Sequence, residues 1–276
     1  MPSQDKKKQN KKHLLILLIV LLLIMAACIA VIAIEWNKWF PKSSFDPSVY
    51  HQTELRPTDT EGTVPAQETS PTAETERELR DNPIRFEELR AVNASVYAWI
   101  YVPDTGVDYP ILQSESDEDD NLYLHHNIYK EYEYQGTIYT QKGNSKDFTD
   151  RVTVVYGHNM LNDSMFSNLD MFLDKDFFDT HPQFFIYTPG HILTYEIVSA
   201  HQYDKRHILN SFDFSDDEVF KDWLAMIQDP KTMVSNVRNG IELTLDSKTV
   251  TLSTCIHRGA ARYLIQGVLV SDEPTK

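Results

Sequence analysis

The strongest apolar signal in the chain comes first: Leu14 to Ile34 runs for 21 residues without a charged side chain. As a helix this stretch spans roughly 31 Å at about 1.5 Å per residue, enough to cross the hydrocarbon core of a bilayer. Residues 35–78 then lose apolar periodicity and become rich in Ser, Thr, Pro, Glu and Gln. Such a composition buries too little surface to offset chain entropy, so it predicts a flexible stalk. From residue 79 to 276 the pattern is that of a folded domain. Glu76 to Val92 predicts one or two short helices interrupted by Asn82-Pro83, with Phe86, Leu89 and Val92 on one face. Short strand-like runs follow at 99–102, 107–112, 136–141, 152–156, 184–187, 192–200, 241–245, 249–253 and 263–270. Turn signals such as Pro103-Asp104-Thr105-Gly106 and Thr188-Pro189-Gly190 separate them. One helix interrupts the late strands. Ser215 and Glu218 form a capping-box signature before Val219, Phe220, Trp223, Leu224 and Ile227, and Asp229-Pro230 ends it. The fold class is therefore mainly β (α+β), a barrel or sandwich of short strands.

Charge places the apolar run in a membrane and orients it. Lys6, Lys7, Lys8, Lys11 and Lys12 precede it, whereas Glu35, Trp36, Lys38, Trp39 and Phe40 come after it. The positive-inside rule leaves residues 1–13 as a cytoplasmic basic tail, makes 14–34 a transmembrane anchor and exports the rest of the chain, giving a single-pass cell-membrane protein. A cleaved signal peptide fits less well, because the run is long for that purpose and no small-x-small site comes after it. The whole chain carries a formal charge of −15, and the basic residues are concentrated near the start. The acidic remainder argues against nucleic acid as a partner.

Two cysteines rule out a disulfide-stapled scaffold, and Cys28 lies inside the apolar run. Cys255 is then the one thiol of the exported part and a candidate nucleophile. It ends the strand-like run Val250-Thr251-Leu252-Ser253-Thr254. His158 sits in a similar place, just past the 152–156 run and Gly157. Arg262 opens the next run, and a permanently charged guanidinium suits stabilising an oxyanion. His257 and Arg258 are nearer neighbours in sequence and compete for the same roles. His125-His126 lacks metal-ligand spacing, and the acidic run 115–120 lacks the spacing and glycine of a calcium loop, which makes a solvated loop the better reading. There is no phosphate-cradling glycine loop, so no metal or cofactor is expected.

Thr251-Leu252-Ser253-Thr254-Cys255, with Arg262 seven residues on, resembles the TLxTC…R signature of sortases in its class B form. Val154-Val155-Tyr156-Gly157-His158-Asn159-Met160 is similar to that family's histidine segment. Further likeness runs through Trp99-Ile100, 107–113 and 121–139, so that it covers roughly residues 80–272. The resemblance implies an eight-stranded sortase β-barrel with N-terminal helices and a long helix before the Cys-bearing strand. It also implies a cysteine transpeptidase with Cys255 as nucleophile, His158 as acid/base and Arg262 as positive stabiliser, and with Ser253 and Thr254 near the substrate. Such enzymes cleave a cell-wall sorting signal (NPQTN-like or LPxTG-like) of a secreted protein after its Thr. A thioacyl-enzyme forms and is resolved by a peptidoglycan-precursor amine. Ile256 departs from the acidic residue some class B members carry after the Cys. An L,D-transpeptidase would need His-Gly before the Cys, where Thr254 stands, and a pilus-building sortase would need an Asp-Pro-aromatic lid, which Asp46-Pro47-Ser48 does not supply. A non-catalytic surface-binding module would have no use for the three residues together.

Overall fold

From Val96 onward short, largely buried strands close into a barrel. The structure is a computed structural model that describes residues 3–39, 45–51, 79–256 and 260–276. The chain divides into two units, 1–44 and 45–276. The first holds α1 (Ser3–Trp39), which over His13–Ile32 is long and apolar enough to cross a membrane.

The second unit begins with α2 (Phe86–Val92), β1 (Val96–Val102), β2 (Val107–Gln113), β3 (Ile138–Thr140) and β4 (Val152–Tyr156). It continues through α3 (Lys175–Thr180), β5 (Gln183–Thr188), β6 (His191–Tyr203), α4 (Ile208–Ser211) and α5 (Asp217–Gln228). The last strands are β7 (Ser235–Val237), β8 (Thr249–Ile256) and β9 (Ala261–Pro274). Eight strands form the ring β5-β1-β2-β3-β4-β8-β9-β6, and β6 pairs back onto β5 to close it. β7 adds to β6 outside the ring. Most neighbours are antiparallel, but β2–β3 and β4–β8 are parallel. A parallel pair needs a crossover, and the β4–β8 crossover carries α3, β5, β6, α4, α5 and β7.

Two apolar clusters cover the barrel. Phe220, Trp223, Leu224 and Ile227 of α5 pack with Val152, Val154, Leu264 and Val268. Burying each such side chain stabilises the fold by about 2 kcal/mol, which is why the amphipathic stripe fixes the helix to this sheet face. Phe86 and Leu89 of α2 join Trp99, Leu112, Tyr139 and Tyr187 in the second cluster.

The eight-stranded barrel is as expected, with local corrections. Residues 79–85 are not helical. The Asn82 amide donates to the Thr188 carbonyl (2.8 Å) and to Thr275 Oγ1 (3.1 Å), its carbonyl oxygen accepts from Ile84 N, and Pro83 disfavours helix at Asn82. Residues 76–78 lie outside the described residues. The 241–245 run is not a strand. Ile241 and Leu243 pack against the α5 cluster instead, with the Gln228 amide donating to the Ile241 carbonyl (3.0 Å). Asp216, not Ser215, caps α5: its Oδ1 accepts from Glu218 N (2.8 Å) and Val219 N (3.2 Å), while Ser215 N donates to Asp213. The short polar β7 carries no apolar alternation and is missed by pattern reading.

Residues 45–51, inside the predicted 35–78 stalk, do not behave as a stalk. Phe45 is buried and stacks on Tyr50 at 5.4 Å. The Tyr50 carbonyl accepts from Arg85 N (2.9 Å), and His51 Nε2 lies 2.8 Å from Asp108 Oδ2. Residues 45–51 therefore belong to the barrel unit, and 52–78 lie outside the described residues.

Candidate active site

Register brings the three sequence-selected residues to one place. β4 and β8 run parallel, with Tyr156 beside Ser253, and Gly157 N continues the ladder by donating to the Ser253 carbonyl at 3.1 Å. His158 and Cys255 each stand two residues beyond that last pair. Side chains two apart share a sheet face, so the register carries both to the same end of the same face. β8 and β9 run antiparallel, and Cys255 stands opposite Arg262. Arg262 Nη1 donates to Cys255 Sγ. The thiol is half-buried at the mouth of the sheet. Arg258 and His257, the rival candidates, lie outside the described residues.

The imidazole of His158 is held from outside the sheet. Its Nε2 is 2.8 Å from the Leu124 carbonyl. A carbonyl can only accept, so Nε2 carries the proton, and Nδ1 is the ring's free base in the neutral form. Leu124 ends a short 3-10 turn, Leu122–Leu124, in the β2–β3 connection. The rings of His125 (5.2 Å) and Tyr134 (5.6 Å) stack on His158 from the same connection. Burial pulls the His158 pKa below its ordinary value against the Leu124 hydrogen bond, and His125 and Arg262 add to the lowering. A neutral imidazole is thus favoured at neutral pH. Among the described residues the thiol's hydrogen-bond partner is Arg262, not His158.

Tyr139 and Tyr156 complete the site floor on β3 and β4. Their rings stack at 5.4 Å, and Tyr139 Oη donates to Asn121 Oδ1 at 3.3 Å. Burial raises both phenol pKa values, so they stay un-ionised, although the nearby Arg262 pulls the other way. Neutral phenols beside a guanidinium leave its positive charge for a reacting group. Pattern reading missed these tyrosines. The signal was available for Tyr156, which precedes His158 by two in a strand.

The proposed substrate contacts separate. Ser253 lies on the Cys255 side of β8 but is buried. Thr254 alternates to the opposite face, is buried, and pairs with Tyr263 of β9. Its side chain therefore does not face the site. His125, one half of the adjacent histidine pair, serves as a ring stacked on His158. The acidic run 115–120 folds around Lys142, whose Nζ donates to the Glu118 carbonyl (2.8 Å) and whose backbone N donates to Asp120 Oδ1 (2.7 Å).

The Sortase domain family model matches residues 100–270. A curated relative, Sortase B of Listeria monocytogenes, is 34% identical over 216 residues, covering 76% of this chain and 80% of the relative. The X-ray structure of Clostridium perfringens sortase B aligns with a TM-score of 0.61 at 30% identity, covering 67% of this chain and 100% of that one. The crystal structure of Bacillus anthracis sortase B in complex with AAEK1 gives a TM-score of 0.61 at 29% identity, covering 70% and 88%.

Proposed function

Because the chain belongs to the sortase family, among its class B members, we propose that it is a membrane-anchored transpeptidase acting through Cys255, His158 and Arg262. Sortases are cysteine transpeptidases. Here the substrate is a secreted protein bearing an NPQTN-like or LPxTG-like sorting signal, and the acceptor is a peptidoglycan-precursor amine. The observation that carries the reading is the Arg262 to Cys255 hydrogen bond, with His158 brought alongside by the β4–β8 register.

The chemistry is set by the residues. The Cys255 thiol gives its proton to His158 as the sulfur attacks the carbonyl carbon of the signal's Thr, forming a C–S bond and an oxyanion. Arg262, a fixed cation with several N–H donors, balances that charge. The C–N bond then breaks, and protonated His158 gives its proton to the leaving amine. In the second half the acceptor amine attacks the thioester, His158 takes a proton from it, and the thiolate leaves. Partial burial slows capture by water, while a positioned amine gains the advantage of proximity.

Topology is part of the proposal. The lysines at the N-terminal end of α1, ahead of the 14–34 run, keep residues 1–13 cytoplasmic, the 14–34 run anchors the chain, and the barrel works outside. Ser253 contributes to the substrate side of the site through its face of β8.

The test uses the full chain in detergent micelles with quenched NPQTN-like and LPxTG-like peptides, with and without an added amine. Cleavage after Thr, an amine-linked product, and no turnover by Cys255→Ala are expected. Undiminished turnover by Cys255→Ala, or hydrolysis unaffected by any amine, overturns the reading.

A further inference from the structure

An exposed aromatic ring normally lies on a protein surface without a fixed partner. Tyr134 is 59% exposed, yet its ring lies parallel to His158 within 22°. Among the described residues its hydroxyl makes no hydrogen bond. Its backbone carbonyl is 3.2 Å from His125 Nδ1, so the carbonyl accepts and His125 Nδ1 carries the proton. The His125 ring is in turn stacked on both Tyr134 (5.7 Å) and His158 (5.2 Å). Three rings therefore lie in mutual contact, and the backbone of the β2–β3 connection fixes two of them.

The connection does not depend on the Tyr134 ring for its own shape. Thr137 N donates to the Tyr123 carbonyl, Glu133 N to the His125 carbonyl, and the Asn127 side chain accepts from Tyr129 N and Glu131 N. The buried Asn93 amide donates to the Ile128 carbonyl at 2.8 Å. Within the loop the ring of Tyr134 stacks on His125, and beyond it on His158.

We propose that Tyr134 is a positioning residue for His158, its ring and that of His125 together holding the imidazole against the Leu124 carbonyl and shielding it from water. The inference rests on the reading of His158 as the acid/base of the reaction. The groups facing His158 are His125 and Tyr134 from the β2–β3 connection, Cys255 on β8 and Arg262 on β9. His125 and Arg262 can place positive charge beside the imidazole, and Tyr134 contributes an uncharged, water-excluding face. Removing that face should rehydrate the ring. It should also free the imidazole to rotate off the Leu124 carbonyl, a displacement that costs turnover and not substrate affinity.

The experiment observes His158 itself, so it does not depend on a substrate. Histidine-labelled full chain in detergent micelles, carrying Cys255→Ala, is titrated by NMR with His158→Gln for assignment. Tyr134→Ala should move the His158 midpoint upward, toward ordinary histidine, and Tyr134→Phe should leave it where the parent has it. In the Cys255 protein, Tyr134→Ala should lower kcat about tenfold with KM nearly unchanged, and Tyr134→Phe should restore it. An unmoved midpoint in Tyr134→Ala overturns the proposal. So does a Phe variant as impaired as the Ala variant, or a loss confined to KM, which makes Tyr134 a substrate contact. A parent protein that turns over no peptide defeats the transpeptidase reading, while the titration still decides the role of Tyr134.

Discussion

Arg262 stands directly opposite Cys255 on neighbouring antiparallel strands, and its guanidinium donates to the sulfur. The seven-residue spacing in the sequence is the spacing of a hairpin. Ile256 and Ala261 form the last pair before the turn, and Cys255 and Arg262 the pair behind it. Cross-strand partners project to the same face, so the ladder delivers a cation to the thiol without help from any loop.

Arg262→Ala should therefore lower kcat/KM by about 10²–10³, the usual loss when one donor to a developing oxyanion is removed. Arg262→Lys should recover only part of it, because an ammonium keeps the charge and loses the planar fork. Arg258→Ala should stay within a few-fold of the parent. Steady-state kinetics of the three variants on a cleavable sorting-signal peptide ranks them, and an Arg258→Ala loss exceeding that of Arg262→Ala reverses the assignment of the cation.

The residues proposed to carry the reaction were legible because they sit on strands or just past a strand end. Val152–Tyr156 is a short β-branched apolar run and the run before Cys255 reads as a strand end, so His158 and Cys255 could be named from the sequence. What holds His158 was not legible. The Leu124 carbonyl is main chain and has no side-chain signature, and the His125 and Tyr134 rings are brought over the site by a turn-rich connection with no period to read. Thr254 shows the opposite failure: motif proximity suggested a substrate contact, whereas strand alternation turns it away from Cys255. Ile241 to Leu245 alternates like a strand because it lays two apolar side chains on α5, a task that period alone cannot distinguish from sheet pairing. Phe45 was lost because two aromatic residues in a polar stretch make no periodic signal.

Gly136 should be irreplaceable for a related reason. It has φ +55°, and a Cβ there would be driven into the carbonyls of Tyr123 and Leu124, the second of which holds His158. Gly136→Ala must displace that carbonyl or strain the turn, at a cost of about 2–3 kcal/mol. Gly240 has φ +86° with open space around it, so Gly240→Ala carries only the conformational cost of about 1 kcal/mol. Urea unfolding compares the two. Turnover per folded molecule should also fall in Gly136→Ala and stay level in Gly240→Ala, and equal behaviour of the pair would contradict the proposed link to His158.

Acid should weaken the barrel through a histidine outside the active site. His201 is buried on β6, and burial pulls its pKa from 6.5 down to about 4. The unfolded chain then binds a proton that the folded chain refuses, so the contribution is complete above pH 6.5 and is lost as pH falls from there through about 4. The full loss is about 3 kcal/mol, with His158 adding to it in the same direction. Unfolding free energies measured between pH 7 and pH 4 should decline less steeply in His201→Gln than in the parent. Parallel pH curves for the two proteins rule His201 out as the source.

The segment ahead of the barrel should matter to stability and little to chemistry. Phe45 buries its ring in the cluster that contains Trp99 and Tyr187, and Tyr50 packs against the same cluster. Phe45 keeps a partly solvated edge, so Phe45→Ala should cost about 2 kcal/mol, below the range for a fully enclosed Phe. His51, beside Asp108, reinforces the attachment at a position where Trp99 Nε1 also donates to Asp108 (2.7 Å). Chains beginning at residue 45 and at residue 79 can be compared directly by urea unfolding. The longer one should show a higher midpoint and, because it exposes more surface on unfolding, a slightly larger slope. Peptide turnover at a temperature where both are folded should agree within about twofold, since none of residues 45–51 belongs to the Cys255 face. Equal midpoints would mean that residues 45–51 rest on the barrel without contributing to its stability.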